Sequence, residues 1–319
     1  DMNSYINSGN DPLNALSPRL TASYAVSPKF NINATAGRYT KIPVYTILGY
    51  KDSLGNFVNK DSKYILCDHI AAGVEYLPAN ALRVTLEGFY KQYSDYSVSF
   101  LNNISLANEG ADYGAIGNER VVANGKGRAY GIELFVQQKL VRNFFVTGSY
   151  TLFWSEFTGA NGNYIPSSWD ARHLLSFILG RKFGKGWELG LKYRLSGGTP
   201  YTPFDLAASR LNYATTGQGV LDYSRVNQSR LPMFNQLDLR VDKKFNFKRS
   251  SLDIYFDFQN ASLSQNVNKD YYTFERNPDN TIATTDGKAL KADGSNAIPV
   301  LLSNVDKTII PALGVIFEF

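Results

Sequence analysis

The sequence predicts an all-β chain, a transmembrane antiparallel up-and-down β-barrel. Three observations carry this expectation. Apolar residues recur with a period of two, rather than 3.6, in one segment after another. The connections between those segments alternate short and long along the whole chain. Composition favours strands, with 21 Tyr and 20 Phe among 319 residues against 3 Trp and 2 Met. A hydrophobic content of 44% is too high for a disordered chain. No apolar run reaches the roughly 18 residues that a membrane-spanning helix requires.

The elements follow in order. Residues 20–26, 30–36, 70–76 and 82–90 alternate weakly. In 132–136, Ile132, Leu134 and Val136 are interleaved with Glu133 and Phe135. Residues 144–154 and 175–183 are longer weak alternations, and in 189–195 Leu189, Leu191, Tyr193 and Leu195 alternate with Gly190, Lys192 and Arg194. Two segments are clearest. Leu237, Leu239 and Val241 stand between Gln236, Asp238, Arg240 and Asp242, and Leu252, Ile254, Phe256 and Phe258 stand between Asp253, Tyr255, Asp257 and Gln259. Residues 309–319 end the series of eleven candidates. Several reach ten residues or more, where soluble strands usually run about 5–6.

Short connections lie at 27–28, 78–80, 141–143, 184–186 and 249–250, and long ones near 40–63, 97–124, 158–170, 198–231 and 261–307. Structureless loops above about 12–15 residues are uncommon in a compact soluble domain. A regular series of them fits hairpins with a tight periplasmic turn at one end and a large extracellular loop at the other. Strand length agrees, because about 9–11 tilted residues cross the hydrocarbon. The charged faces would then line a wet lumen. A soluble antiparallel sandwich also alternates, but strand and loop lengths speak against it. Tyr24, Tyr39, Tyr76, Tyr90, Tyr150, Trp154, Trp187 and Phe319 lie at or near strand ends, where interfacial girdles are expected.

A net charge of +5 comes from Lys and Arg spread singly or in pairs such as Lys243 and Lys244, so no nucleic-acid partner is expected. The single cysteine, Cys67, excludes an internal disulfide and a thiolate metal cluster. Asp1 does not open the basic, apolar and small-residue order of a signal peptide, so any export signal is expected to have been removed or to lie outside this sequence.

The chain closes on Pro311-Ala312-Leu313-Gly314-Val315-Ile316-Phe317-Glu318-Phe319. This resembles the assembly signal of bacterial outer-membrane barrels: glycine, two residues, an aromatic, one residue and a terminal aromatic, here Gly314, Phe317 and Phe319. Ala312 stands where that signal usually has a polar residue. Further stretches are Leu16-Ser17-Pro18-Arg19-Leu20, Tyr130-Gly131-Ile132-Glu133-Leu134, Asp170-Ala171-Arg172-His173 followed by 183–189 and 196–203, and 234–260. In content and order they are similar to the carboxyl-terminal barrel half of TonB-dependent receptors, particularly those of Bacteroidota. The resemblance covers nearly the whole chain.

It implies a barrel of twenty-two strands whose lumen is filled by an amino-terminal plug. Such a barrel needs roughly 220 residues at about ten per strand before any loop is counted, so a chain with these loops supplies about half. Counting back eleven strands from a last one that ends in the periplasm makes the first also run downward, into the 27–28 turn. That is the parity of strands twelve to twenty-two. Residues 1–319 are therefore expected to be the carboxyl-terminal part of the barrel, with the plug, the TonB-contacting segment and the first barrel half outside this sequence. Its two open edges could not be satisfied by lipid.

By the same resemblance the function is outer-membrane uptake of a scarce ligand (an iron chelate, cobalamin, a glycan or a peptide) energised through TonB. Expected partners are outer-membrane lipid, the rest of the same receptor, TonB through the plug, the barrel-assembly machinery and a surface lipoprotein lid. No cofactor is expected. Passage candidates are Arg172, Arg194, Gln236 and Asp238, polar residues near the outer ends of strands. Loop candidates are Tyr201, Phe204, Tyr223, Arg225 and Asn227, because aromatic rings bind with little entropy loss and Arg or Asn orients a polar ligand.

Catalytic and metal sites are not expected. His69 and His173 lack partners, and Ser176, three positions after His173, falls on the opposite face of a strand. Gly125, Gly127 and Gly131 precede a strand instead of opening a helix, unlike a nucleotide loop. The acidic stretches 52–61 and 279–293 match no calcium-loop spacing and read as solvated. Two rival functions are a receptor-like barrel for adhesion or complex assembly without transport, and a barrel enzyme built on Arg172, His173 and Asp238.

Overall fold

The structure, a computed structural model, describes residues 16–110 and 116–319. In chain order its strands are β1 (Arg19–Ser27), β2 (Phe30–Lys41), β3 (Ile65–Ala79), β4 (Leu82–Ser99), β5 (Val121–Val141), β6 (Phe144–Thr158), β7 (Tyr164–Pro166), β8 (His173–Phe183), β9 (Trp187–Ser196), β10 (Pro200–Tyr201), β11 (Ser229–Arg230), β12 (Phe234–Asn246), β13 (Ser251–Gln259), β14 (Asn266–Phe274), β15 (Pro299–Asp306) and β16 (Ile310–Glu318). Eleven form one antiparallel meander in the order β1-β2-β3-β4-β5-β6-β8-β9-β12-β13-β16, with β7 added to β6. Every segment predicted from alternation is one of these eleven. β10 pairs with β11 and β14 with β15, both within the long loops.

Register shows how period two becomes a two-faced wall. Ala36, Ile70, Tyr90, Tyr130 and Trp154 lie directly opposite one another across β2 to β6. Tyr90 stacks on Tyr130 at 6.2 Å between ring centres, and Tyr130 on Trp154 at 5.4 Å. Two residues further out, the same face turns polar: Arg38 donates to Asp68 at 2.7 Å and Arg128 to Glu156 at 2.7 Å. The apolar band therefore ends at the aromatic row. Along β6, Phe144 to Trp154 is ten steps; at about 3.3 Å each and a tilt of about 40°, this rises roughly 25 Å, the height of an outer-membrane apolar band.

At the turn end, Phe183 faces Trp187, with Arg181 over the first ring and Lys243 over the second. These rings form the inner girdle, where cation and aromatic sit together at the headgroup level. Tyr39 departs from the expected girdle. It is on the opposite face, 4.3 Å beneath the Arg19 guanidinium and 6.0 Å from the His69 ring. Tyr150 lies within the band, its hydroxyl hydrogen-bonded to His173 Nδ1 at 2.8 Å.

The other face carries Glu133, Lys192, Arg194, Asp238, Arg240 and Asp242. Glycine admits rings to it at two places. Gly131 pairs with Phe89 on one side and Phe153 on the other, and a Cβ there would collide with the Leu152 carbonyl. Gly314 lies under the Tyr255 ring, which is capped by the Arg240 guanidinium at 3.7 Å.

Buried apolar side chains sit mainly above the band. Ile47, Leu106 and Val121 form one cluster; Tyr272, Phe274 and Ala297 form another, joined by Phe204 and Tyr213. Ile70, Leu313 and Val315 are 61%, 64% and 61% exposed, so this sheet face is covered by something other than the chain, as a lipid-facing wall is. β1 and β16 end the sheet and do not pair with each other among the described residues, so the sheet is an arc of a barrel.

Candidate functional site

The long loops fold into a cap. The helix Leu206–Thr216 starts where the Asp205 carboxylate accepts the backbone N–H groups of Ala207 and Ala208, both at 3.0 Å, and ends on left-handed Gly217. Its Tyr213 meets Tyr272 and Phe274 of β14 at 5.4 and 4.8 Å. Asn227 fastens three loops. Buried, it donates from Nδ2 to the Asn108 and Pro166 carbonyls at 2.7 and 2.8 Å, and its backbone N–H donates to the Thr202 hydroxyl at 3.2 Å.

Four loops enclose a cavity of about 690 Å³. Tyr201 and Phe204 line it, beside Trp169, Tyr271, Asn268 and Asn304. Phe204 also serves the loop core, its ring 5.7 Å from that of Tyr272. Glu109 stands at one wall. Burial, chiefly, pushes its carboxyl up to about 7; the Asn102 amide, donating at 3.3 Å, opposes this, and the charge of Glu119 adds to it. A carboxyl so placed exchanges a proton near neutrality.

Arg172, Tyr223 and Asn227 border a second cavity, of about 560 Å³, with Arg230, Tyr164 and Gln228. Its two arginines are anchored on Asp170, fully buried, whose carboxylate meets Arg230 at 2.5 Å, Arg172 at 2.9 Å and the Ser155 backbone N–H at 2.9 Å. Arg172 does not face the passage: its guanidinium lies 5.3 Å over the outward Trp154 ring. Arg225 is tied at 2.6 Å to Asp222, and the Ser224 hydroxyl and Arg225 together hold that carboxyl below its usual range. Burial raises the Tyr223 phenol, and the charges of Glu109 and Glu119 raise it further.

The remaining passage residues meet on the inward face. Asp238 accepts from Gln236 at 2.6 Å and from the Asn260 backbone N–H at 3.0 Å, with Arg194 at 3.4 Å and Lys192 at 3.9 Å. At the chain's end, Phe317 stacks on Phe319 at 6.1 Å, and both rings are exposed.

Glu109, Trp169, Asp170, Arg230 and Tyr271 join these sites without having been singled out from the sequence. Of these only Asp170 carried a signal, its place in Asp170-Ala171-Arg172-His173. Acids in both loop stretches are engaged by their own turns: Asp52 accepts from the Leu54 and Asn56 N–H groups at 2.9 Å each, and Asp286 from Lys288 N at 3.1 Å.

A profile of the family described as TonB dependent receptor-like, beta-barrel matches residues 2–268. No curated protein matches the chain. Among solved structures, the chain is similar to the closed form of the ferric-catecholate import receptor Fiu from E. coli K12 (14% identity, TM-score 0.54, 93% of this chain and 34% of that one). It is similar also to the siderophore receptor PiuA from Acinetobacter baumannii (12%, 0.56, 94% and 35%) and to the unliganded ferric citrate transporter FecA (16%, 0.57, 94% and 38%). The chain spans about a third of the length of these proteins. At such identities the likeness bears on the fold, and the fold is that of the eleven-strand arc described above. With more than half of its residues matched by the profile, the chain belongs to the TonB-dependent receptor β-barrel family of the outer membrane.

Proposed function

We propose that the chain is the carboxyl-terminal half of a twenty-two-stranded, Bacteroidota-type receptor barrel, and that the whole receptor takes up a scarce ligand energised through TonB. A plug domain and amino-terminal strands would complete it along the edges of β1 and β16. Gly314, Phe317 and Phe319 would hand the last strand to the barrel-assembly machinery, and a surface lipoprotein would serve as a lid over the loops. Fiu and PiuA are named for ferric-catecholate import and siderophore reception, and FecA for ferric citrate transport.

The observation that carries the reading is the convergence of four loops, above a membrane-height wall, on one aromatic- and amide-lined cavity. Such a lining binds by ring stacking and directed hydrogen bonds. Among the described residues the charged groups that line it are Glu109, Asp270 and Lys269, with no arginine. This balance favours a neutral or cationic polar cargo, such as a glycan, a peptide or cobalamin, over a polyanionic iron chelate.

The test is cellular accumulation of labelled cobalamin, an oligosaccharide set, a peptide set and ferric citrate by the intact receptor. One neutral or cationic probe is expected to accumulate, with Trp169→Ala and Tyr201→Ala each lowering uptake about tenfold by loss of a stacking partner. A protonophore should abolish it. Uptake that survives the protonophore overturns active transport, and accumulation of ferric citrate alone overturns the cargo class.

A further inference from the structure

The cavity beside Arg172 holds unbalanced charge. Arg172 and Arg230 share a single carboxylate, that of buried Asp170, and among the described residues none that lines the cavity is acidic. Arg230 is committed by further hydrogen bonds from Nη1 to the Asp170 and Gly198 carbonyls, at 2.6 and 2.9 Å. Arg172 spends only Nε on Asp170, and its terminal nitrogens meet no acceptor among the described residues. Among the described residues one positive charge is left over, ringed by the neutral donors Asn102, Asn161, Gln228, Tyr164 and Tyr223. The nearby charges are already matched, Arg128 by Glu156 and Arg225 by Asp222. A guanidinium with free terminal N–H groups amid amides is a receptor for phosphoryl or carboxylate oxygens.

The position of this cup narrows the choice. Arg172 lies over Trp154, the last ring of the outward aromatic row, and Tyr164 carries outward-facing Arg128 at 4.2 Å. Just inside the same row is an apolar furrow of about 570 Å³, floored by Ala72 and Gly88 and walled by Ile70, Tyr90, Ile132 and Trp154. Ala34, Ala72 and Gly88 are direct cross-strand partners, so the outward face is recessed there by most of a side chain. Trp154 is common to both: it lines the furrow, and its ring lies under the Arg172 guanidinium. A cationic cup above an apolar trough at the edge of the membrane band complements an anionic head joined to a hydrocarbon chain. A diffusible anion would use the cup and leave the trough without a role.

We propose that Arg172 holds the phosphoryl group of an outer-leaflet lipid whose acyl chain lies in the furrow over Ala72 and Gly88.

The experiment places the intact receptor in nanodiscs with equal amounts of bis-phosphorylated lipid A and phosphatidylcholine, and counts retained lipid by native mass spectrometry. Retention of lipid A over phosphatidylcholine is expected, weakened about tenfold in Arg172→Gln by loss of a charge-assisted contact. Arg172→Gln leaves the Asp170–Arg230 pair in place. Gly88→Leu fills the furrow without touching the cup, because an added Cβ would have its nearest neighbour at 3.9 Å, and it is expected to weaken retention similarly. Heat-modifiable gel migration verifies that each variant is folded. Equal retention of the two lipids, or unchanged retention in both folded variants, overturns the proposal. So does displacement of the lipid by millimolar inorganic phosphate together with indifference to Gly88→Leu, which would mark a site for a free anion.

Discussion

Glu109 shows how much a single side chain owes to its surroundings. Burial lifts its carboxyl from about 4.5 to about 7. Below the lower value both folded and unfolded chains carry the proton, and the environment costs nothing. Between the two values the folded loop keeps a proton that the unfolded chain has released, so its stability falls as pH rises through this window and levels off above it. Hydrogen exchange in Leu106–Glu109, corrected for intrinsic rates, is expected to be slower at pH 5 than at pH 8, and Glu109→Gln should remove the difference. Persistence of the same pH dependence in that variant would count against this account. Nothing in the local sequence pointed to Glu109, because the residues that bury it come from other loops. Arg172 differs again: it was legible as a functional arginine, but its turn toward Trp154 was not, since that depends on a left-handed backbone with φ of 65°.

At the scale of the strand, alternation was nearly sufficient. All eleven long strands were legible because one face must satisfy hydrocarbon along its whole length and the other must not. Their outer ends were not. β4 and β5 extend to Ser99 and back to Val121, beyond the aromatic row, where backbone pairing continues but the demand for apolar residues has ceased. β14 and β15 escaped notice for another reason: the register shifts between Asn268 and Tyr271, which breaks the period of two.

The two faces make unequal demands, and β5 offers a direct comparison. Leu134→Arg places a charge in the apolar band and is expected to cost about 2–4 kcal/mol. Glu133→Lys, one residue away on the wet face, should cost no more than about 1 kcal/mol, since Glu133 has only a long hydrogen bond from Thr151 at 3.5 Å. Equilibrium unfolding in lipid vesicles measures both. Equal costs would mean that the faces are not divided between lipid and lumen.

For the whole molecule the governing fact is that β1 and β16 each have one edge without a partner strand among the described residues. In hydrocarbon each unsatisfied backbone group costs several kcal/mol, so an open arc has a strong drive to find strands for both sides. Residues 1–319 expressed alone are expected to give no heat-modifiable monomer and to be degraded or to associate edge to edge. Co-expression with the proposed amino-terminal barrel half should restore the compact form. A stable, heat-modifiable monomer from this chain alone would mean that the arc closes on itself.

For most of the eleven long strands the sequence by itself determined which residues face oil, which face water and where the chain turns back, because these are properties of one strand and the medium on either side of it. Only the tertiary structure decided which side chains form the sites. Asp170 meets Arg230 across 60 residues and Asn227 meets Asn108 across 119, and such contacts depend on how long loops fold over one another, which no short-range periodicity encodes.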